Sequence, residues 1–67
     1  MNATEKGQRY AQVFRKAGTF LAKGNIARAI DALKEGRELA QAWGDAAMAK
    51  RFADEIARAS SRLKSDE

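Results

Sequence analysis

Few residues in this sequence have side chains suited to covalent or acid–base catalysis, and none has a suitable partner. The sequence contains no histidine and no cysteine, which removes the usual bases, the thiol nucleophiles and the commonest zinc ligands. Ser60, Ser61 and Ser65 lie near the carboxyl end of the sequence with no base to activate them. We therefore expect that the protein is not an enzyme.

The carboxylates do not have the spacing of a metal site. Asp54 and Glu55 are adjacent in sequence, so on a helix they point about 100° apart. Asp31 and Glu35 make only a two-carboxylate pair, flanked by lysine. The glycines do not form a phosphate-binding loop between a strand and a helix. We expect no metal and no cofactor.

A set of basic and polar residues in the amino-terminal third has a spacing suited to binding. They recur every three or four positions, which places them in one stripe along a helix, with Arg15 beside it. Such a stripe can meet an acidic peptide, a ligand carboxylate or the phosphates of a nucleic acid, or it can be a solvated surface that keeps the protein soluble. This basic stripe consists of Arg9, Gln12, Lys16, Thr19 and Lys23.

The net charge of +4 is distributed unevenly. Residues 1–30 contain six basic side chains and one acidic one, whereas residues 31–45 contain four acidic and two basic ones. One helix is therefore basic and its neighbour acidic. This asymmetry can serve a partner or the fold itself.

The elements that position these residues are three amphipathic helices. There is no proline, and the apolar residues recur at intervals of three and four, as along one face of a helix. Gly24-Asn25 and Gly44-Asp45 each pair a glycine that can end a helix with a side chain that can cap the next. We predict an all-α single domain over residues 1–67, with three antiparallel helices over about 3–23, 26–43 and 46–64 and a frayed tail over 65–67.

The core of such a domain is thin. Alanine supplies 15 of the 30 hydrophobic residues, and a domain of this size buries only about 60% of the surface that its unfolded chain exposes. Neither disulfides nor zinc can compensate here, so we expect a homodimer or a subunit that docks on a larger protein. Phe20 and Trp43 are candidate contact residues, and Trp43 can alternatively cap the core.

The location of the protein follows only from general features of the sequence. We see no secretory signal and no apolar run long enough to span a membrane, and the lack of cysteine fits a reducing compartment. We expect a cytoplasmic protein with no membrane partner.

The segment GNIARAIDALKEGRELAQAWG, residues 24–44, resembles the second half of a tetratricopeptide repeat. Gly24 matches the turn glycine of that family, and Ala29 matches the small residue that follows it. Leu33 matches the next bulky position and Gly36 the next small one. The Leu-Gly pair of the family's first helix and its terminal proline are absent here. In the family these positions pack helix against helix.

The resemblance implies a helical hairpin plus a third helix that together bind other proteins. In the family the first helix of each pair lines a concave peptide groove, so the resemblance implies that the basic stripe meets an acidic peptide. The candidate partner-binding residues are Arg9, Gln12, Arg15, Lys16, Phe20, Lys23 and Trp43. The alternative is a small nucleic-acid-binding regulator that uses the basic face of the first helix, although no aromatic residue interleaves with the basic ones.

Overall fold

The computed structural model describes residues 2–65, and within them the chain forms three α-helices and no strand. Helix α1 spans Ala3–Ala22, α2 spans Ile26–Ala42 and α3 spans Ala46–Ser65. The predicted all-α class is confirmed, and every predicted helix boundary lies within one residue of the observed one. Ser65 of the predicted tail ends α3, whereas residues 66–67 lie outside the described residues.

Short polar side chains begin all three helices. The side chains of Asn2, Asn25 and Asp45 each accept a hydrogen bond from the backbone N–H three residues later, at 2.9, 3.3 and 3.2 Å. Gly24 and Gly44, which follow α1 and α2, have φ angles of 76° and 69°, a left-handed conformation that other residues rarely adopt. At Gly24-Asn25 and at Gly44-Asp45, the glycine therefore ends one helix and the next residue caps the start of the following helix, as predicted.

Helix α2 lies between the other two helices. It packs along both, whereas no Cα atom of α1 comes within 8 Å of a Cα atom of α3. The outer helices meet only through side chains: the rings of Phe14 and Phe52 stack at 12° with their centroids 4.7 Å apart. The result is a thin molecule that measures 42 × 20 × 12 Å along its principal axes.

Phe52 of α3 occupies the centre of the main core. Its exposed fraction is 0%, and it is the largest fully buried side chain among the residues described. The Tyr10 ring lies 5.7 Å away, centroid to centroid, and Phe14 stacks on it from the same helix. A Cβ atom at Gly36 would lie within 3 Å of three carbons of the Phe52 ring. The missing side chain at Gly36 thus makes room for this ring.

A second, smaller group of apolar side chains closes the other end of the molecule. Ile26, Ile30 and Ala59 are buried there, with Leu21 and Ile56 packed against them. Leu63, near the end of α3, is 43% exposed. The core of residues 2–65 therefore consists of these two clusters, with the buried Ala29 of α2 in addition.

Candidate interaction surface

An open groove runs along the surface between α1 and α2. We call it the α1/α2 groove. Its first section is lined by Arg9, Gln12, Val13 and Lys16 of α1 and by Glu35, Glu38, Leu39 and Ala42 of α2. Its continuation is lined by Lys16 and Phe20 of α1 and by Arg28, Asp31, Ala32 and Glu35 of α2.

The two sides of this groove carry opposite charge. Arg9 and Lys16 form a basic wall on α1, whereas Asp31, Glu35 and Glu38 form an acidic wall on α2 that also includes one basic residue, Arg28. All six side chains are exposed. The floor is apolar and consists of the buried Val13, the half-buried Phe20 and Leu39, and Ala32 and Ala42.

The charges of the two walls are only partly matched within the chain. The Lys16 Nζ atom lies 3.6 Å from Glu35 Oε2, in a pair whose side chains are 56% and 63% exposed, so it contributes little to stability. Because α1 and α2 are antiparallel, Arg9 lies about two turns away at the level of Ala42 rather than opposite an acid. In the described part of the chain, Arg9, Asp31 and Glu38 form no ion pair.

The structure brings together four of the seven predicted partner-binding residues. Arg9, Gln12 and Lys16 line the first section of the groove, and Phe20 lines its continuation. Three residues of the basic stripe therefore border α2. The Phe14 ring of α1 faces α3 instead, and the Arg51 guanidinium of α3 lies 5.1 Å from its centroid.

The remaining predicted residues lie outside the groove. Arg15 is exposed and lines neither section, and Lys23 is the C-cap residue of α1. Trp43 is half-buried beyond the end of α2, where its ring meets the Tyr10 ring edge-on at 5.3 Å. The Lys6 Nζ atom lies 5.7 Å from the Trp43 ring centroid. Trp43 thus packs on the edge of the core.

The acidic wall was not among the predicted site residues. The sequence shows the acidic character of residues 31–45, but the spacing of Asp31 and Glu35 by itself indicates only a two-carboxylate pair. Their side chains line the groove because the packing of α2 turns them toward the basic stripe.

The exposed face of α3 carries charges that are paired within the helix. Lys50 Nζ donates to Asp54 Oδ2 and Arg58 to Glu55 Oε1, both at 3.1 Å. Within residues 2–65 there is no cluster of three or more acidic, histidine or cysteine side chains that could hold a metal ion. The same residues include no helix whose length and hydropathy would let it cross a membrane.

Tyr10 is linked to the start of α3 by a hydrogen bond. Its hydroxyl donates to Asp45 Oδ2 at 3.0 Å, while Asp45 Oδ1 caps α3. Burial of the ring raises the pKa of Tyr10 above its usual value of 10.0, and the hydrogen bond and negative charge of Asp45 raise it further. The bond ties α1 to the turn that begins α3.

We predict that this tyrosine titrates late and that its ionisation destabilises the fold. It is the only tyrosine in the sequence, so its absorbance near alkaline pH reports this site alone, and the midpoint should lie above 10.0. The pKa of Tyr10 is higher in the folded than in the unfolded chain, so the protonated side chain contributes to the free energy of unfolding. This contribution is fully present below about pH 10 and is lost as the pH rises through the pKa of the folded protein. Tyr10→Phe should lack this loss.

Thermal unfolding at about pH 8 and about pH 11 provides the measurement, because lysine ionisation affects both proteins alike. The melting temperature of the parent protein should fall further than that of Tyr10→Phe. A tyrosine midpoint at or below 10.0 would contradict both the burial of the ring and its hydrogen bond to Asp45.

No known protein family, curated protein or solved structure matches this chain significantly.

Proposed function

We propose that the protein is a non-enzymatic protein-protein interaction or assembly module of tetratricopeptide-like helical architecture, and that the α1/α2 groove is its contact surface. The observation that carries the proposal is the combination of an apolar floor with exposed walls of opposite charge, in which Arg9, Asp31 and Glu38 are unpaired. A polar rim around an apolar centre is the usual composition of a protein interface.

The small core supports this proposal. Phe20 and Leu39 are only half-buried, and both line the groove. A domain of this size gains little stability from its own core, so covering such side chains with a partner adds a substantial part of the apolar burial. The absence of cysteine is consistent with our further proposal of a cytoplasmic location.

The acidic wall favours a protein partner over a nucleic acid. A phosphate backbone seated on Arg9 and Lys16 would lie one groove width from Glu35 and Glu38, whose carboxylates repel it. A protein surface can present both signs of charge and can match both walls. The basic stripe therefore supports selective protein binding better than phosphate binding.

A photo-crosslinking amino acid at position 12 tests the proposal. Gln12 is exposed and lines the groove, so a partner bound there should be captured on irradiation in an extract of the protein's own cells. Lys34 is the matched control, because it is exposed on α2 but does not line the groove. We expect a discrete protein adduct from position 12, unchanged by nuclease, and none from position 34.

Two results would overturn the proposed function. An adduct that nuclease removes would identify a nucleic acid as the partner. Equal labelling from positions 12 and 34, or no adduct from either, would show that the groove is not a contact surface.

A further inference from the structure

We infer that the occupant of the α1/α2 groove is a second copy of this chain, held in a two-fold dimer in which the basic wall of each copy lies on the acidic wall of the other. The inference rests on the proposed function, because it assigns the partner of the same surface. Three observations carry it: the opposite charge of the two walls, the unpaired residues on them, and the antiparallel direction of α1 and α2.

The symmetry of a dimer decides which walls meet. In a two-fold interface the same patch is used on both copies, so the patch must be complementary to itself. One possible two-fold axis lies in the interface and runs parallel to the helices. Rotation about this axis places α1 of one copy on α2 of the other. Arg9 and Lys16 then face the acidic wall of the second copy.

The other face-to-face arrangement brings like charges together. An axis that runs across the groove places α1 on α1 and α2 on α2, with basic wall against basic wall and acidic against acidic. Juxtaposed like charges at an interface disfavour that arrangement strongly. The charge pattern therefore selects one of the two face-to-face dimers.

The selected arrangement also brings two of the three unpaired side chains, Arg9 and Glu38, within reach of each other between the two copies. Rotation about an axis parallel to the helices does not change the position of a residue along the helix direction. Arg9, which is level with Ala42 of its own copy, therefore faces Ala42 of the second copy. Glu38 lies one helical turn from Ala42, about 6 Å along the axis, which is within reach of an arginine side chain. The half-buried Phe20 and Leu39 of both copies meet between the charged walls.

Such a dimer is expected to be sensitive to salt. Its walls are exposed, and interactions between exposed charges are screened over a shorter distance as the salt concentration rises. Sedimentation of the intact protein should show a dimer at about 0.05 M salt and an increased monomer fraction at about 0.5 M.

Charge-swapped variants test the arrangement directly. Variant one carries Arg9→Glu with Lys16→Glu, so both of its walls are acidic. Variant two carries Glu35→Lys with Glu38→Lys, so its α2 wall becomes mainly basic and retains Asp31 as its one acidic residue. Each alone should dimerise at least about tenfold more weakly than the parent, because like charges meet across the two-fold axis. An equimolar mixture should form a heterodimer, in which every wall again faces its opposite.

A matched control separates this effect from a change in net charge or folding. Lys34→Glu with Arg62→Glu changes the net charge as variant one does, at exposed positions outside the groove, and should dimerise like the parent. Circular dichroism reports whether each variant is helical. A variant that fails to fold is replaced by the corresponding single change, Arg9→Glu or Glu38→Lys.

The results distinguish this inference from the proposed function. A parent protein that sediments as a monomer at about 0.1 mM at low salt, while position 12 captures a different protein, overturns the dimer and leaves the interaction module. A parent that dimerises while the two variants do not recombine overturns the two-fold arrangement. A monomer that also gives no adduct at position 12 overturns both.

Discussion

Phe52→Ala is expected to unfold most of the domain at room temperature. Removing a buried phenylalanine side chain costs about 3–5 kcal/mol, and the single core of a chain of 67 residues rarely supplies more than about 3–5 kcal/mol of stability. The cavity left by the missing ring would not be filled easily by neighbouring groups. Tyr10 and Phe14 both pack against the Phe52 ring, and Gly36 has no side chain that could move into the space. The helical signal in circular dichroism and its thermal transition provide the measurement.

Two further variants make the result specific to this ring. Phe52→Leu retains most of the volume and should cost less than about 1.5 kcal/mol. Leu63→Ala truncates a large apolar side chain on the same helix that is 43% exposed, and should change stability by less than about 0.5 kcal/mol. A Phe52→Ala protein that melts as Leu63→Ala does would show that Phe52 is not the centre of the core.

Gly36→Ala is expected to destabilise the fold by about 1–3 kcal/mol, although alanine is the better helix former. The added methyl group would overlap the Phe52 ring, which is held from its other sides by Tyr10 and Phe14. Combining Gly36→Ala with Phe52→Leu should cost less than the sum of the two single changes, because the smaller, flexible leucine makes room for the methyl group. Denaturant unfolding of the four proteins measures this coupling.

Gly18→Ala is the control for helix propensity. Gly18 lies inside α1, and a Cβ atom placed there meets no atom within 4 Å. This change should stabilise the protein by up to about 1 kcal/mol. If Gly36→Ala stabilised the protein equally, the contact between α2 and the Phe52 ring would be refuted.

The helices and their boundaries could be predicted because the signals for them are local. Gly24 and Gly44 can take the left-handed conformation, and Asn25 and Asp45 carry the short oxygen acceptors that a helix start requires. These properties belong to neighbouring residues and depend little on the rest of the fold. The spacing of the apolar residues then predicts which face of each helix is buried.

The composition of the α1/α2 groove could not be predicted from such local signals. The basic stripe was visible on α1, but its distance from Glu35 and Glu38 depends on how α1 and α2 are rotated against each other. That rotation is fixed by side chains far apart in sequence, such as Phe52 seated against Gly36. A rotation of one residue position, about 100°, would turn the stripe away from α2.

The position of Phe52 on the last helix also determines when the domain can fold during synthesis. Helices α1 and α2 emerge from the ribosome first, but the space between Tyr10, Phe14 and Gly36 stays empty until α3 follows. A nascent hairpin of two helices therefore exposes aromatic surface for as long as the third is being translated, a state that chaperones recognise and that invites premature association. Folding of these three helices is expected to be completed only after α3 has emerged from the ribosome.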